Sequence, residues 1–236
     1  MERPYVLINV AMTADGKIDT FERNGASISS RRDKQRVDEL RAGADAVMVG
    51  GRTLLDEDPR LTVRSADLRA ERERRGLPPN PAKVGLVTCA GLKPDSDFLN
   101  SGPAQVYLFT TTLTKAGQLE MLRSQGARVF VHEPPRVNLA RALETLKQHG
   151  INRLMVEGGG TLNFELLRLG LVDELSAYVA PLVFGGETAP TLAAGPGLAR
   201  GAALPLQLVK VESWEDGGVL LQYRLSQGEI SPNLQE

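Results

Sequence analysis

The feature that most constrains this chain is an alternation. Short apolar runs, each stopped by a glycine or another turn signal, are separated by stretches rich in helix formers. Residues 5–12 read as a buried strand that ends at Asp15-Gly16. Residues 30–42 read as a helix with Val37 and Leu40 inward and Arg31, Arg32, Asp33, Lys34, Arg36, Asp38 and Glu39 mostly outward, stopped near Gly43. Further strands are expected at 44–49, 83–88, 105–110, 127–131 and 152–156, with helices at 114–125, 138–149 and 162–169. Residues 65–82 are charged and then proline-rich, and read as a solvated excursion. After Asp173 helices become scarce: strands are expected at 174–179, 204–212 and 219–225, with a Gly/Pro-rich loop at 181–201 and a hairpin turn at Glu215-Asp216-Gly217-Gly218. Strands alternating with helices imply an α/β fold with a mostly parallel central sheet, helices on its faces and an antiparallel hairpin at one edge.

No internal repeat or domain boundary stands out. One domain over 1–225 is expected, with 226–236 a polar tail that frays. The formal net charge of −1 offers no global field for nucleic acid or an anionic membrane, so a bound phosphate must be met by local groups. A single cysteine, Cys89, forms no internal disulfide. No stretch approaches the roughly 18–20 apolar residues of a membrane span, and no secretory leader pattern opens the chain, so a cytoplasmic protein is expected.

Three clusters carry chemistry. Glu157-Gly158-Gly159-Gly160-Thr161 lies between a strand and a helix, where bare backbone, free N–H groups and a capping Thr161 suit a phosphate. The same run also suits a plain tight turn. Gly50 to Arg64 again starts at a strand end, and Arg64 with Arg41 forms a candidate anion clamp. The competing reading pairs these arginines with Asp56, Glu57 or Asp58. Thr13 to Ile18 contains Asp15-Gly16-Lys17, either a carboxylate and an ammonium brought to a cleft or a turn with solvated charges. Other chemistries lack their signatures. There is no G-x-G-x-x-G after the first strand, no P-loop lysine, no G-x-S-x-G elbow and no zinc-deaminase pattern. His132 and His149 have no metal-ligand spacing with Cys89, so no metal is expected.

Taken in order, these pieces resemble the reductase family of riboflavin biosynthesis, found as the carboxy-terminal half of bacterial deaminase–reductases and as stand-alone archaeal and fungal enzymes. The matching residues are Asp15-Gly16-Lys17-Ile18, Leu40-Arg41-Ala42 with Asp45-Ala46 and Gly50, and Thr53 with Asp58-Pro59-Arg60-Leu61-Thr62-Val63-Arg64. Val156 to Leu162, Leu171-Val172-Asp173-Glu174, and Pro181 with Gly185-Gly186 complete the set, over roughly residues 5–200. The resemblance implies a dihydrofolate-reductase-like fold, a homodimer, and NADPH-dependent reduction of the ribose C1′ of a ribosylaminopyrimidine 5′-phosphate. Carried over position by position, it places Thr53, Glu57, Gly158, Gly159, Gly160, Thr161 and Leu162 on the cofactor. Arg41, Leu61, Arg64 and Glu157 fall on the substrate, and Lys17 and Glu157 at the chemistry. Glu57 stands where bacterial fusions often carry Asp, Cys89 where a Ser can contact the cofactor, and Ser27 where some members carry an aromatic residue. The resemblance leaves open whether the base is the diaminopyrimidinone or the deaminated uracil form. A reductase of a pterin or another C=N substrate, and a non-catalytic NADPH sensor, are the alternatives.

Overall fold

A computed structural model describes residues 2–225, so the expected tail at 226–236 lies outside the described residues. In chain order the elements are β1 (Tyr5–Thr13), α1 (Arg31–Ala42), β2 (Ala46–Gly50), a π-helical turn (Thr53–Glu57), α2 (Ala66–Arg74), β3 (Ala82–Leu86), α3 (Asp97–Asn100), β4 (Val106–Thr111) and α4 (Ala116–Ser124). They continue with β5 (Arg128–His132), α5 (Leu139–Gln148), β6 (Arg153–Val156), α6 (Gly160–Arg168), β7 (Glu174–Ala180), a 3-10 turn (Arg200–Ala202), β8 (Leu206–Ser213) and β9 (Val219–Leu225). Every strand expected from the apolar runs is present, displaced by a few residues at its ends. No helix among the described residues is long and apolar enough to cross a membrane.

The chain divides into two compact units. The first is built from Lys34–Gly159 with the residues up to Tyr5, the second from Val6–Asp33 and the described residues from Gly160 onward. In the first, β5, β4, β3, β2 and β6 lie side by side in that order, all neighbours parallel. Val47, Val49, Leu108 and Met155 of these strands form a buried cluster with Leu54 of the π-helical turn and Phe98 of α3, and Val37 and Leu40 of α1 pack against it. In α5, Asn138 caps the first turn, and Ala142, Leu143 and Leu146 bury one face, the spacing an amphipathic helix requires. In the second unit β1 pairs parallel with β7, and β9 and β8 follow antiparallel. Asp173 pins the start of this ladder, accepting the Val6 N–H at 2.7 Å, while Tyr178 and Trp214 stack at 5.0 Å in a small core with Ile28 and Leu220.

Two expectations fail for one reason. The charged part of the expected excursion is α2, with Ser65 as its cap, and only residues 75–81 run outside a helix or strand. Its docking contact is a buried arginine rather than an apolar stripe. Arg72 donates to the carbonyls of Ala42 and Ala44 at 2.7 and 2.8 Å, and to that of Pro78 at 2.8 Å. Likewise Asp33 and Asp38 of α1 do not face outward but are buried. Periodicity arguments count apolar side chains, and they miss an element docked by charges that meet backbone groups. Lys83, the second residue of β3, repeats the pattern. Its ammonium is buried and bonds the Phe98 and Ser101 carbonyls at the end of α3, and burial lowers its pKa to about 8.

Candidate active site

The chemistry-bearing residues of the first unit gather where β2 and β6 end. The two exits are tied together: the Glu157 N–H donates to the Met48 carbonyl at 2.9 Å and the Gly50 N–H to the Gly158 carbonyl at 2.7 Å. This places the Glu157 side chain beside the last turn of α1, where Arg41 meets it in a two-pronged pair. Nε donates to Oε1 at 2.6 Å and Nη2 to Oε2 at 2.7 Å, and Nη1 reaches the Thr62 carbonyl at 3.0 Å. Both side chains are mostly buried, with exposures of 13% and 15%. Burial works against the Arg41 charge, but the Glu157 carboxylate more than offsets it, so the guanidinium pKa is raised. Three of five guanidinium N–H groups are thus used, and the carboxylate keeps lone pairs for a further donor.

From Thr53 to Arg64 the backbone is irregular but tightly held. It opens with the π-helical turn and passes through two non-glycine residues in left-handed conformation, Asp58 at φ 44 and Leu61 at φ 51. Each such residue costs on the order of 1–2 kcal/mol. At Asp58 the cost is offset by three hydrogen bonds: its carboxylate accepts from Ser96 Oγ and from the N–H groups of Asp97 and Phe98, capping α3. Leu61 is buried, and its left-handed turn directs the chain toward Arg41. Neither Arg41 nor Arg64 pairs with residues 56–58. Arg64 is exposed, and its guanidinium makes no hydrogen bond or ion pair among the described residues.

The three glycines of 158–160 have three different reasons. Gly158 adopts φ 94, open to glycine at little cost, and joins Gly159 through a cis peptide. At Gly159 a Cβ would meet only Thr53 Oγ1, at the ordinary contact distance of 3.5 Å, so half-buried bare backbone there lies beside a hydroxyl. Gly160 is bare for packing, because a Cβ would collide with the Thr191 carbonyl. The cap expected of Thr161 is not formed. The helix already begins at Gly160, and Thr161 is an exposed residue of its first turn, while Leu162 behind it is buried.

In the second unit Asp15 turns away from ligand chemistry. Its carboxylate accepts from Thr13 Oγ1 at 2.6 Å and from the N–H groups of Phe184 and Gly185, and the Thr13 bond, followed by the backbone ones, lowers its pKa. Lys17 is held through its backbone, by Thr13 and by a bridge to Thr191. Its ammonium has one long contact, 3.4 Å to the Ala189 carbonyl.

Reading from sequence missed Asp38, which lies behind this site. Its signal was its place three residues before Arg41, on the same helix face.

An α/β arrangement with an ion pair and bare glycines at the carboxyl ends of adjacent parallel strands is that of a ligand-handling α/β enzyme. The comparisons are more specific. Residues 4–220 match the RibD C-terminal domain family. The chain is 40% identical over 193 residues to a 2,5-diamino-6-ribosylamino-4(3H)-pyrimidinone 5′-phosphate reductase of Archaeoglobus fulgidus, covering 82% of this chain and 87% of that protein. It is 41% identical over 196 residues to the protein of the same name from Methanothermobacter thermautotrophicus, with 83% and 86% covered. Its fold matches that of a pyrimidine reductase-like protein from Corynebacterium diphtheriae with a TM-score of 0.81 at 20% identity, covering 95% and 93% of the two chains. It matches Acinetobacter baumannii RibD with a TM-score of 0.76 at 26% identity, over 95% of this chain and 58% of that one. The chain therefore belongs to the RibD C-terminal domain family.

Proposed function

We propose that residues 1–225 act as one reductase domain that converts 2,5-diamino-6-ribosylamino-4(3H)-pyrimidinone 5′-phosphate to its ribitylamino product in riboflavin biosynthesis, with NADPH as donor. The observation that carries this reading is the Arg41–Glu157 pair at the ends of β2 and β6, with the bare Gly159 backbone and the Thr53 hydroxyl at the same strand ends. The diaminopyrimidinone form is chosen because two relatives near 40% identity, each covered over most of its length, bear that name.

A Cβ-free backbone facing a threonine hydroxyl fits the phosphates and sugars of a dinucleotide. Thr53, Glu57, Gly158, Gly159, Gly160, Thr161 and Leu162 would hold it, and bound NADPH supplies the hydride that reduces C1′. Arg64 holds the substrate's phosphate, and its unpartnered guanidinium suits two-pronged recognition of that group. Leu61, expected on the substrate, instead has its side chain in the core of the first unit and anchors the same loop from within. Glu157, fixed by Arg41, accepts a hydrogen bond from a sugar hydroxyl or from the base. Arg41 can add its two remaining N–H groups. Opening the ribose breaks the C1′–O4′ bond as the nitrogen lone pair forms C1′=N. The charge developing on O4′ would be stabilised by the Lys17 ammonium until O4′ takes up a proton and the nitrogen gives up its own, leaving C1′ the electrophilic carbon of a neutral imine.

The decisive experiment follows NADPH oxidation with three substrates: the diaminopyrimidinone phosphate, its deaminated uracil counterpart and dihydrofolate. Turnover fastest with the first supports the reading. Preference for the second moves the assignment to the uracil form, and preference for dihydrofolate overturns it.

We also propose a homodimer, and the β8–β9 hairpin provides a surface for it. Residues opposite one another across an antiparallel pair share a face. Leu206, Leu208 and Val211 therefore lie with Leu225, Tyr223 and Leu221, while Gln207, Lys210 and Glu212 occupy the other face, a bulge at residue 209 keeping the two sets apart. The apolar set is uncovered: Leu206, Leu208 and Val211 are 41%, 51% and 58% exposed. An uncharged face packs on its own copy about a two-fold axis without repulsion. Val211→Lys is expected to elute at the monomer mass in light-scattering chromatography where the parent elutes as a dimer. A dimer in both would overturn this interface.

A further inference from the structure

Residues 61–65 form no helix or strand, yet from the Thr62 carbonyl to the Ser65 N–H every backbone group is held by a side chain. Arg41 donates to the Thr62 carbonyl at 3.0 Å. Asn80 accepts the Val63 N–H at 2.9 Å. Arg69 donates to the carbonyls of Val63 and Arg64 at 2.8 and 2.7 Å. Asp38, only 7% exposed, uses one carboxylate oxygen for the Arg64 N–H at 2.6 Å and the other for the Ser65 N–H at 2.7 Å. Burying a carboxylate is costly unless it is hydrogen-bonded, and this one is spent on two consecutive amides. Ser65 in turn caps α2, so one carboxylate sets both the anchor of Arg64 and the start of the next helix. Everything about Arg64 is fixed except its guanidinium, which is exposed and unpartnered among the described residues.

We infer that Asp38 is a positioning residue for recognition of the substrate's phosphate, acting through the backbone of Arg64. The inference rests on the reading of Arg64 as the phosphate anchor. A long, flexible side chain binds an anion more tightly when its Cα is already immobile, because less freedom is lost on binding. In Asp38→Asn the shape is kept, but an NH2 group meets one of the two amide N–H groups, which releases the clamp at one point.

The test compares the parent with Asp38→Asn, Arg64→Ala and the double variant. Each is assayed with the phosphorylated substrate and with its dephosphorylated nucleoside. Asp38→Asn is expected to raise KM for the phosphorylated substrate about tenfold, with kcat within about twofold and KM for NADPH unchanged. It should have no effect on the nucleoside and add nothing in the Arg64→Ala background. Arg69→Met, which loosens the same loop from its exposed side, is expected to shift KM in the same direction and supplies the readout if Asp38→Asn does not fold. If Arg64→Ala raises KM but the Asp38 and Arg69 variants behave as the parent, the positioning role is overturned. It is also overturned if Asp38→Asn harms the nucleoside reaction equally, because that is the mark of general damage to the fold. If Arg64→Ala itself leaves KM unchanged, the phosphate reading of Arg64 fails and takes the role of Asp38 with it.

Discussion

Arg41→Met is expected to destabilise the protein by about 3–5 kcal/mol, the typical cost of removing one partner from a buried ion pair. The loss does not measure the worth of the pair itself. It arises because Glu157, 15% exposed, keeps a carboxylate that water replaces only in part once the two guanidinium N–H groups at 2.6 and 2.7 Å are gone. The Thr62 carbonyl loses its donor as well. Urea unfolding should show a lower midpoint with an unchanged slope, since the surface exposed on unfolding is nearly the same. A double variant, Arg41→Met with Glu157→Leu, should recover much of the stability, because two apolar groups leave no orphaned charge. It should remain inactive, because the proposed role of Glu157 needs its carboxylate. If Arg41→Met is as stable as the parent, the pair is not buried as described.

Lys17→Ala is expected to lower kcat by about 10²–10³, the range for removing a donor aimed at developing charge. NADPH affinity and the melting temperature should change little. The fold argues for that separation: the Lys17 backbone is held by Thr13 Oγ1 and by the bridge to Thr191, and the ammonium contributes only a long contact to Ala189. An unchanged kcat would remove Lys17 from the mechanism. A falling melting temperature with unchanged kcat would make it a structural residue.

The same contrast between backbone and side chain explains how much was legible in advance. Strands such as β2 and β4 were readable because an interior parallel strand is largely apolar, and the glycines at the ends of β2 and β6 mark where the chain turns out of the sheet. The hairpin turn at 215–218 was readable because few residues accept its geometry. Several motif residues that suggested ligand chemistry do structural work: Asp15 holds the loop at 184–185, Asp58 caps α3, and Asp173 pins β1. A carboxylate looks the same in a sequence whether it meets a ligand or a backbone amide.

The amino-acid order by itself determined the alternation of strands and helices, the antiparallel end, and the positions where bare backbone is required, because these depend on side-chain polarity and local conformation. Only the tertiary structure decided which charges are partners. Arg41 found Glu157, 116 residues away in sequence, rather than the acids at 56–58, and Asp38 turned inward to hold Arg64. It also separated three adjacent glycines into one for conformation, one lying beside a hydroxyl and one for packing. The physical reason is common to all of these. Polar side chains in the interior are placed by the backbone groups and opposite charges that the fold brings to them, and those neighbours are remote in sequence.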